Sequence, residues 1–124
     1  MPVKIETAKA PAAIGPYSQA LKTGNLVFVS GQLPADPVTG EIPPDVAAQV
    51  KNSLQNVMAI LEAAGSSADK VLKVGIFLTD LGDFQVANEI YRTFFKEPYP
   101  ARTTVQISAL PKGAKIEIDA VAEA

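Results

Sequence analysis

Apolar residues change their spacing along this chain, and each change predicts an element. Val3 to Glu6 fits a short edge strand, and Pro11, Gly15 and Pro16 mark the loop that follows. Tyr17 to Lys22 reads as a strand, Thr23-Gly24-Asn25 as its turn, and Leu26 to Ser30 as a second strand apolar on both faces. Gly31 ends that strand, and five Pro and Gly residues between 32 and 44 predict an irregular loop. The period then becomes helical. Val46, Val50, Leu54, Val57 and Leu61 form one stripe, with Asp45 placed to cap its start and Gly65 to end it. Val71 to Thr79 is a strand again apolar on both faces. A second helix follows, capped by Asp83, with Phe84, Ala87, Tyr91 and Phe94 or Phe95 on its stripe and Pro98 and Pro100 beyond its end.

The chain closes with Pro100 to Ile107 and Ile116 to Ile118, which read as two antiparallel strands joined through Ala109 to Gly113. The resulting order is β-β-β-α-β-α-β-β, an α+β domain over residues 1–124 with both helices on one sheet face. Two helices cover one face only, yet two strands are apolar on both. The other face therefore needs a cover, and another copy of the chain is the simplest one.

Composition narrows the chemistry. The 124 residues include no His and no Cys, so a thiol nucleophile, a His-dependent triad, a disulfide framework and a zinc site of His or Cys are all excluded. Proton chemistry has to use carboxylates, Tyr, Lys, backbone groups or water. Net charge is −2 with no basic stripe, which disfavours nucleic acid as a partner. No stretch is long and apolar enough for a membrane span, and the N-terminus lacks the apolar segment of a signal peptide, so a soluble cytoplasmic protein is expected.

Within the final two strands, Arg102, Thr104 and Gln106 share one face, and Glu117 and Asp119 share one face. Pairing the strands so that their apolar sets coincide predicts Arg102 and Glu117 on the same side. A guanidinium there suits bidentate carboxylate recognition, and Glu117 suits proton transfer. The same pattern also describes a solvated face with one exposed ion pair, worth little. Tyr17 and Ser30 are hydroxyl candidates at strand ends, and Asn88 lies just off the second helix's stripe; each also reads as an ordinary structural residue.

Pro100-Ala101-Arg102, Val105, Leu110-Pro111 and Ile116-Glu117-Ile118 together resemble the C-terminal signature of the Rid family. These are the reactive intermediate deaminases, or YjgF-like proteins, and the likeness is to the RidA-like subgroup. Ala12 to Ala20 and Val29-Ser30-Gly31-Gln32 extend it over almost the whole chain. The resemblance implies a chorismate-mutase-like fold, a homotrimer around a central barrel, and sites in the clefts between subunits. It implies hydrolysis of reactive enamines and imines, such as 2-aminoacrylate, 2-iminopropanoate and 2-iminobutanoate, to 2-oxo acids and ammonia, with no metal or organic cofactor. On that pattern Arg102 clamps the substrate carboxylate and Glu117 handles water and protons. Tyr17, Ser30 and the Gly31 backbone line the site, and Asn88 matches a family position. Thr104 stands where many relatives carry Cys, which speaks against a thiol role; its backbone carbonyl can serve instead. The alternatives are a non-catalytic binder of small 2-oxo or amino acids, a ribonuclease or translation inhibitor, and a chaperone-like holdase.

Overall fold

In the computed structural model, which describes residues 1–124, one six-stranded sheet carries two helices on a single face. The strands are β1 (Val3–Ile5), β2 (Ala20–Thr23), β3 (Leu26–Gln32), β4 (Val71–Leu78), β5 (Ala101–Gln106) and β6 (Ile116–Glu123). The helices are α1 (Val46–Ala63) and α2 (Phe84–Phe94). Spatial order is β1-β2-β3-β6-β4-β5, antiparallel throughout except for the β4–β5 pair.

The ends of α1 explain its limits. Asp45 accepts from the Ala48 amide at 3.1 Å. At the other end Gly65 takes φ +81°, which a residue with a Cβ adopts reluctantly. That turn lets the Ser66 and Gly65 amides reach the Leu61 and Glu62 carbonyls, closing a Schellman cap. Val50, Leu54, Val57 and Leu61 are buried as the stripe predicts, and Val46 packs at its edge. They meet Val27 and Val29 of β3, Val74, Ile76 and Leu78 of β4, and Ile116, Ile118, Ala120 and Ala122 of β6 in one core. Asp83 precedes α2 but makes no side-chain cap; Asp80 does the local work, accepting from the Gly82 amide at 2.8 Å.

The expected C-terminal hairpin does not form. β5 and β6 are not neighbours: β4 lies between them, parallel to β5 and antiparallel to β6. The reason lies in which strand has most to bury. β6 runs to Glu123 and carries four consecutive inward positions, all buried, so it fills the gap between β3 and β4. β5 has no buried residue and takes the edge, reached from β4 through α2 as a parallel crossover.

This order also overturns the shared face of Arg102 and Glu117. Val74 pairs with Arg102 and Ala120, and Ile76 with Thr104 and Ile118, on the helix-bearing face. Phe77 pairs with Val105 and Glu117, and Gly75 with Thr103 and Asp119, on the opposite face. The side chains of Arg102 and Glu117 therefore leave the sheet in opposite directions. On the helix-free face Leu21, Phe28 and Val105 are exposed, and Phe77 and Val121 are half-buried, so the apolar second face inferred from β3 and β4 is present and uncovered within one chain.

Candidate functional site

The candidate residues fall into two half-sites. The first lies between α2 and the start of β5. Asn88, Tyr91 and Arg92 share one helix face by their spacing, and the 95–100 connection returns the chain so that Tyr99, Pro100 and Arg102 close a cleft of about 410 Å³ against them. The Arg102 guanidinium sits 4.8 Å from the centre of the Tyr91 ring and 5.7 Å from that of Phe84. Aromatic faces hold a cation by their quadrupole and leave its N–H groups free to donate elsewhere. No carboxylate neutralises Arg102: the chain's one ion pair is Lys4 with Glu6, at 3.2 Å.

The surroundings fix this orientation. The Tyr91 ring stacks at 4.5 Å from Phe95, and its buried hydroxyl has no hydrogen-bond partner. Burial pushes that hydroxyl's pKa up, opposed by the Arg102 charge. Thr104, on the same face as Arg102, also buries its hydroxyl without a partner. The unpaired guanidinium of Arg102 at the cleft wall is the group there that could hold a polar ligand atom.

The second half-site is on the other face, around a bulge in β3. Val29 pairs with Ala120 and Gln32 with Ile118, so Ser30 and Gly31 together stand opposite Asp119. Ser30 anchors the segment before β2. Its hydroxyl donates to the Ser18 carbonyl at 2.6 Å and its amide to the Gln19 carbonyl at 2.9 Å. The Gln19 side chain in turn gathers the 7–11 loop through Thr7, Ala10 and Pro11. Tyr17 is thus not in the strand expected over Tyr17 to Lys22 but in the irregular segment before β2, half-exposed, where it lines a shallow depression with Ser18, Leu21, Phe28 and Ser30.

Glu117 lies over the bulge. A Cβ at Gly31 would stand 2.7 Å from its Cδ and 2.8 Å from its Oε1, so glycine is what lets the carboxyl group rest there. Asp119 rests in the same way against Gly75. Burial pushes the Glu117 pKa up, and the Asp119 charge pushes it further; burial also raises Asp119. Gly31→Ala is expected to displace the mobile end of Glu117 at little cost to thermal stability. In a carboxyl NMR titration its pKa should then move down towards the ordinary Glu range. An unmoved titration would show that Gly31 does not seat the carboxyl group.

Of the sequence candidates, the structure brings Arg102 and Asn88 to the first half-site, and Glu117, Gly31, Ser30 and Tyr17 to the second; Thr104 shares the sheet face of Arg102 but does not line the cleft. Sequence reasoning missed Tyr91 and Phe84 as the bed of Arg102, and Arg92 and Tyr99 as walls of its cleft. The stripe marks the first two as core positions, and only the return of β5 beside α2 gives them a second role.

The sequence profile described as Endoribonuclease L-PSP matches residues 7–124. The chain belongs to this family, that of the YjgF and Rid proteins. It is 50% identical over 121 residues to the 2-iminobutanoate/2-iminopropanoate deaminase of Escherichia coli strain K12, covering 95% of this chain and 94% of that one. Among solved structures, RidA from the Antarctic bacterium Psychrobacter sp. PAMC 21119 matches at TM-score 0.95 and 49% identity, over 98% of this chain and 99% of that one. The E. coli TdcF structure with bound serine matches at TM-score 0.94 and 50% identity, over 98% of both chains. The mixed α+β sheet with two helices is the fold of these Rid proteins. No helix of the chain is long and apolar enough to cross a membrane.

Proposed function

We propose that this Rid protein is a cofactor-independent deaminase that hydrolyses 2-iminopropanoate and 2-iminobutanoate, formed from enamines such as 2-aminoacrylate, to 2-oxo acids and ammonia. The observation that carries this reading is the unpaired guanidinium of Arg102, held on Tyr91 and Phe84 at the wall of a cleft with no carboxylate in it. The E. coli relative named as such a deaminase supports the substrate class.

Arg102 would take the substrate carboxylate through two parallel N–H donors. The reaction then needs a water whose oxygen bonds to C2, a base for its proton, and a proton donor for the departing nitrogen. Addition gives a tetrahedral carbinolamine, and breaking its C–N bond releases ammonia and leaves the oxo acid. Glu117, with its proton affinity raised by burial, suits both transfers. It faces away from Arg102 within one chain, so the complete site in this reading lies between two copies of a homotrimer. One copy supplies Arg102, Asn88 and the Thr104 backbone; its neighbour supplies Glu117, Gly31, Ser30 and Tyr17. The apolar face around Phe28, Phe77 and Val105 gives the copies a reason to associate around a central barrel.

RNA cleavage, the activity in the family profile's name, fits poorly with a net charge of −2 and no His. A binder without catalysis would use the same cleft. The test supplies 2-aminoacrylate continuously from a serine/threonine dehydratase and follows ammonia release. Acceleration beyond the spontaneous rate, proportional to the amount of this protein, is the expected result; an unchanged rate would leave only binding.

A further inference from the structure

Arg92 has no part in the chemistry described so far, yet it lines the same cleft as Arg102. The fold explains the meeting. α2 carries Arg92 one turn beyond Asn88, close to the helix end, and the short connection through Tyr99 and Pro100 brings Arg102 back beside it. Arg92 forms no ion pair. Glu89, three residues earlier on α2, forms no ion pair with it, nor does Asp69, which lines an adjoining depression with Arg92. The Arg102 cleft therefore presents two guanidinium groups and no carboxylate. At about 410 Å³ it is far larger than a three-carbon acid, and room remains beyond the carboxylate clamp for a longer side chain.

We propose that Arg92 is a specificity-determining residue, which makes this cleft favour 2-imino and 2-oxo acids with a second, side-chain carboxylate over their monocarboxylate counterparts. The proposal rests on the reading of the cleft as a 2-imino acid site and adds the class of side chain it selects. One carboxylate goes to Arg102, fixed on its aromatic bed; the other goes to Arg92, the more exposed of the two cations lining the cleft. Arg92 is exposed, so the second contact is a modest, salt-sensitive one. A cation in the last turn of α2 also suits the helix dipole. That role would alter stability alone and leave the choice between ligands unmoved.

The test compares binding of 2-oxoglutarate and 2-oxobutanoate to the whole protein by calorimetric titration, for the wild type, Arg92→Gln and Arg92→Lys. The wild type is expected to bind the diacid more tightly. Its preference should fall about two- to five-fold in Arg92→Gln, be largely kept in Arg92→Lys, and shrink as salt rises. A wild type that favours the monoacid, or a ratio identical in wild type and Arg92→Gln, would overturn the proposal, as would binding of neither acid. Ammonia release from 2-aminoacrylate, measured on the same preparations, separates the two readings. Turnover without the Arg92-dependent ratio removes the specificity claim and keeps the deaminase. The ratio without turnover keeps the specificity claim and removes the deaminase.

Discussion

Glu117→Gln is expected to lower kcat on dehydratase-generated 2-aminoacrylate by about 10²–10⁴-fold, the usual worth of a general acid/base, with 2-oxo acid binding retained. The substitution keeps the side chain's shape and one acceptor oxygen but removes the base. Few groups can replace it. The chain has no His and no Cys, and Tyr ionises near 10 when unperturbed, too high for an easy base. The pH profile gives a second handle. A base must be deprotonated to act, so activity falls as pH drops through its pKa. Burial and the Asp119 charge raise that pKa, so the acid limb should lie above the ordinary Glu range. Asp119→Asn removes the neighbouring charge and should move the limb to lower pH. If Glu117→Gln turns over within a few-fold of wild type, Glu117 only orients water, and backbone carbonyls become the better candidates for the proton path.

Arg102→Ala should abolish measurable substrate and 2-oxo acid binding, at a cost of about 2–5 kcal/mol for losing one partner of a desolvated charge pair. Folding should survive. Arg102 is only half-buried, it makes no ion pair, and its loss leaves the Tyr91–Phe95 stack in place. Arg102→Lys is the sharper comparison, since it keeps the charge but loses the planar fork and its packing on two rings. Calorimetric titration with 2-oxobutanoate reads both variants. Unchanged binding in Arg102→Ala would remove the carboxylate clamp from the account.

What the sequence disclosed was mostly local. Asp45, the stripe from Val46 to Leu61 and Gly65 sit within one element and define α1 without outside help. The alternation within β5 and β6 is local too: Arg102 and Thr104 share a side, as do Glu117 and Asp119. The error lay in joining them. Matching the apolar sets of the two strands assumes that only one face of the sheet is apolar. Here Val105 belongs to the uncovered face and Ile116 and Ile118 to the helix-covered core, so matching them reverses one strand. Strand order is a long-range property, decided by how much each strand has to bury, and β6 won the central place over β5. Tyr17 failed for a different reason. The strand read over Tyr17 to Lys22 begins only at Ala20, and before it the Ser30 hydrogen bonds to Ser18 and Gln19 tie down an irregular segment.

The central claim is that the site is shared between two chains, and subunit mixing tests it most directly. Arg102→Ala and Glu117→Gln are each expected to be inactive alone. Unfolded together in equal amounts and refolded, they should form mixed assemblies in which some clefts join an intact Arg102 from one copy to an intact Glu117 from the next. With random pairing around a closed ring, roughly a quarter of the clefts are restored. Ammonia release from 2-aminoacrylate should then recover to about that fraction of wild type refolded in the same way. If both residues act within one chain, no mixed assembly contains a complete site, and activity staying at the level of the separate variants would contradict the account.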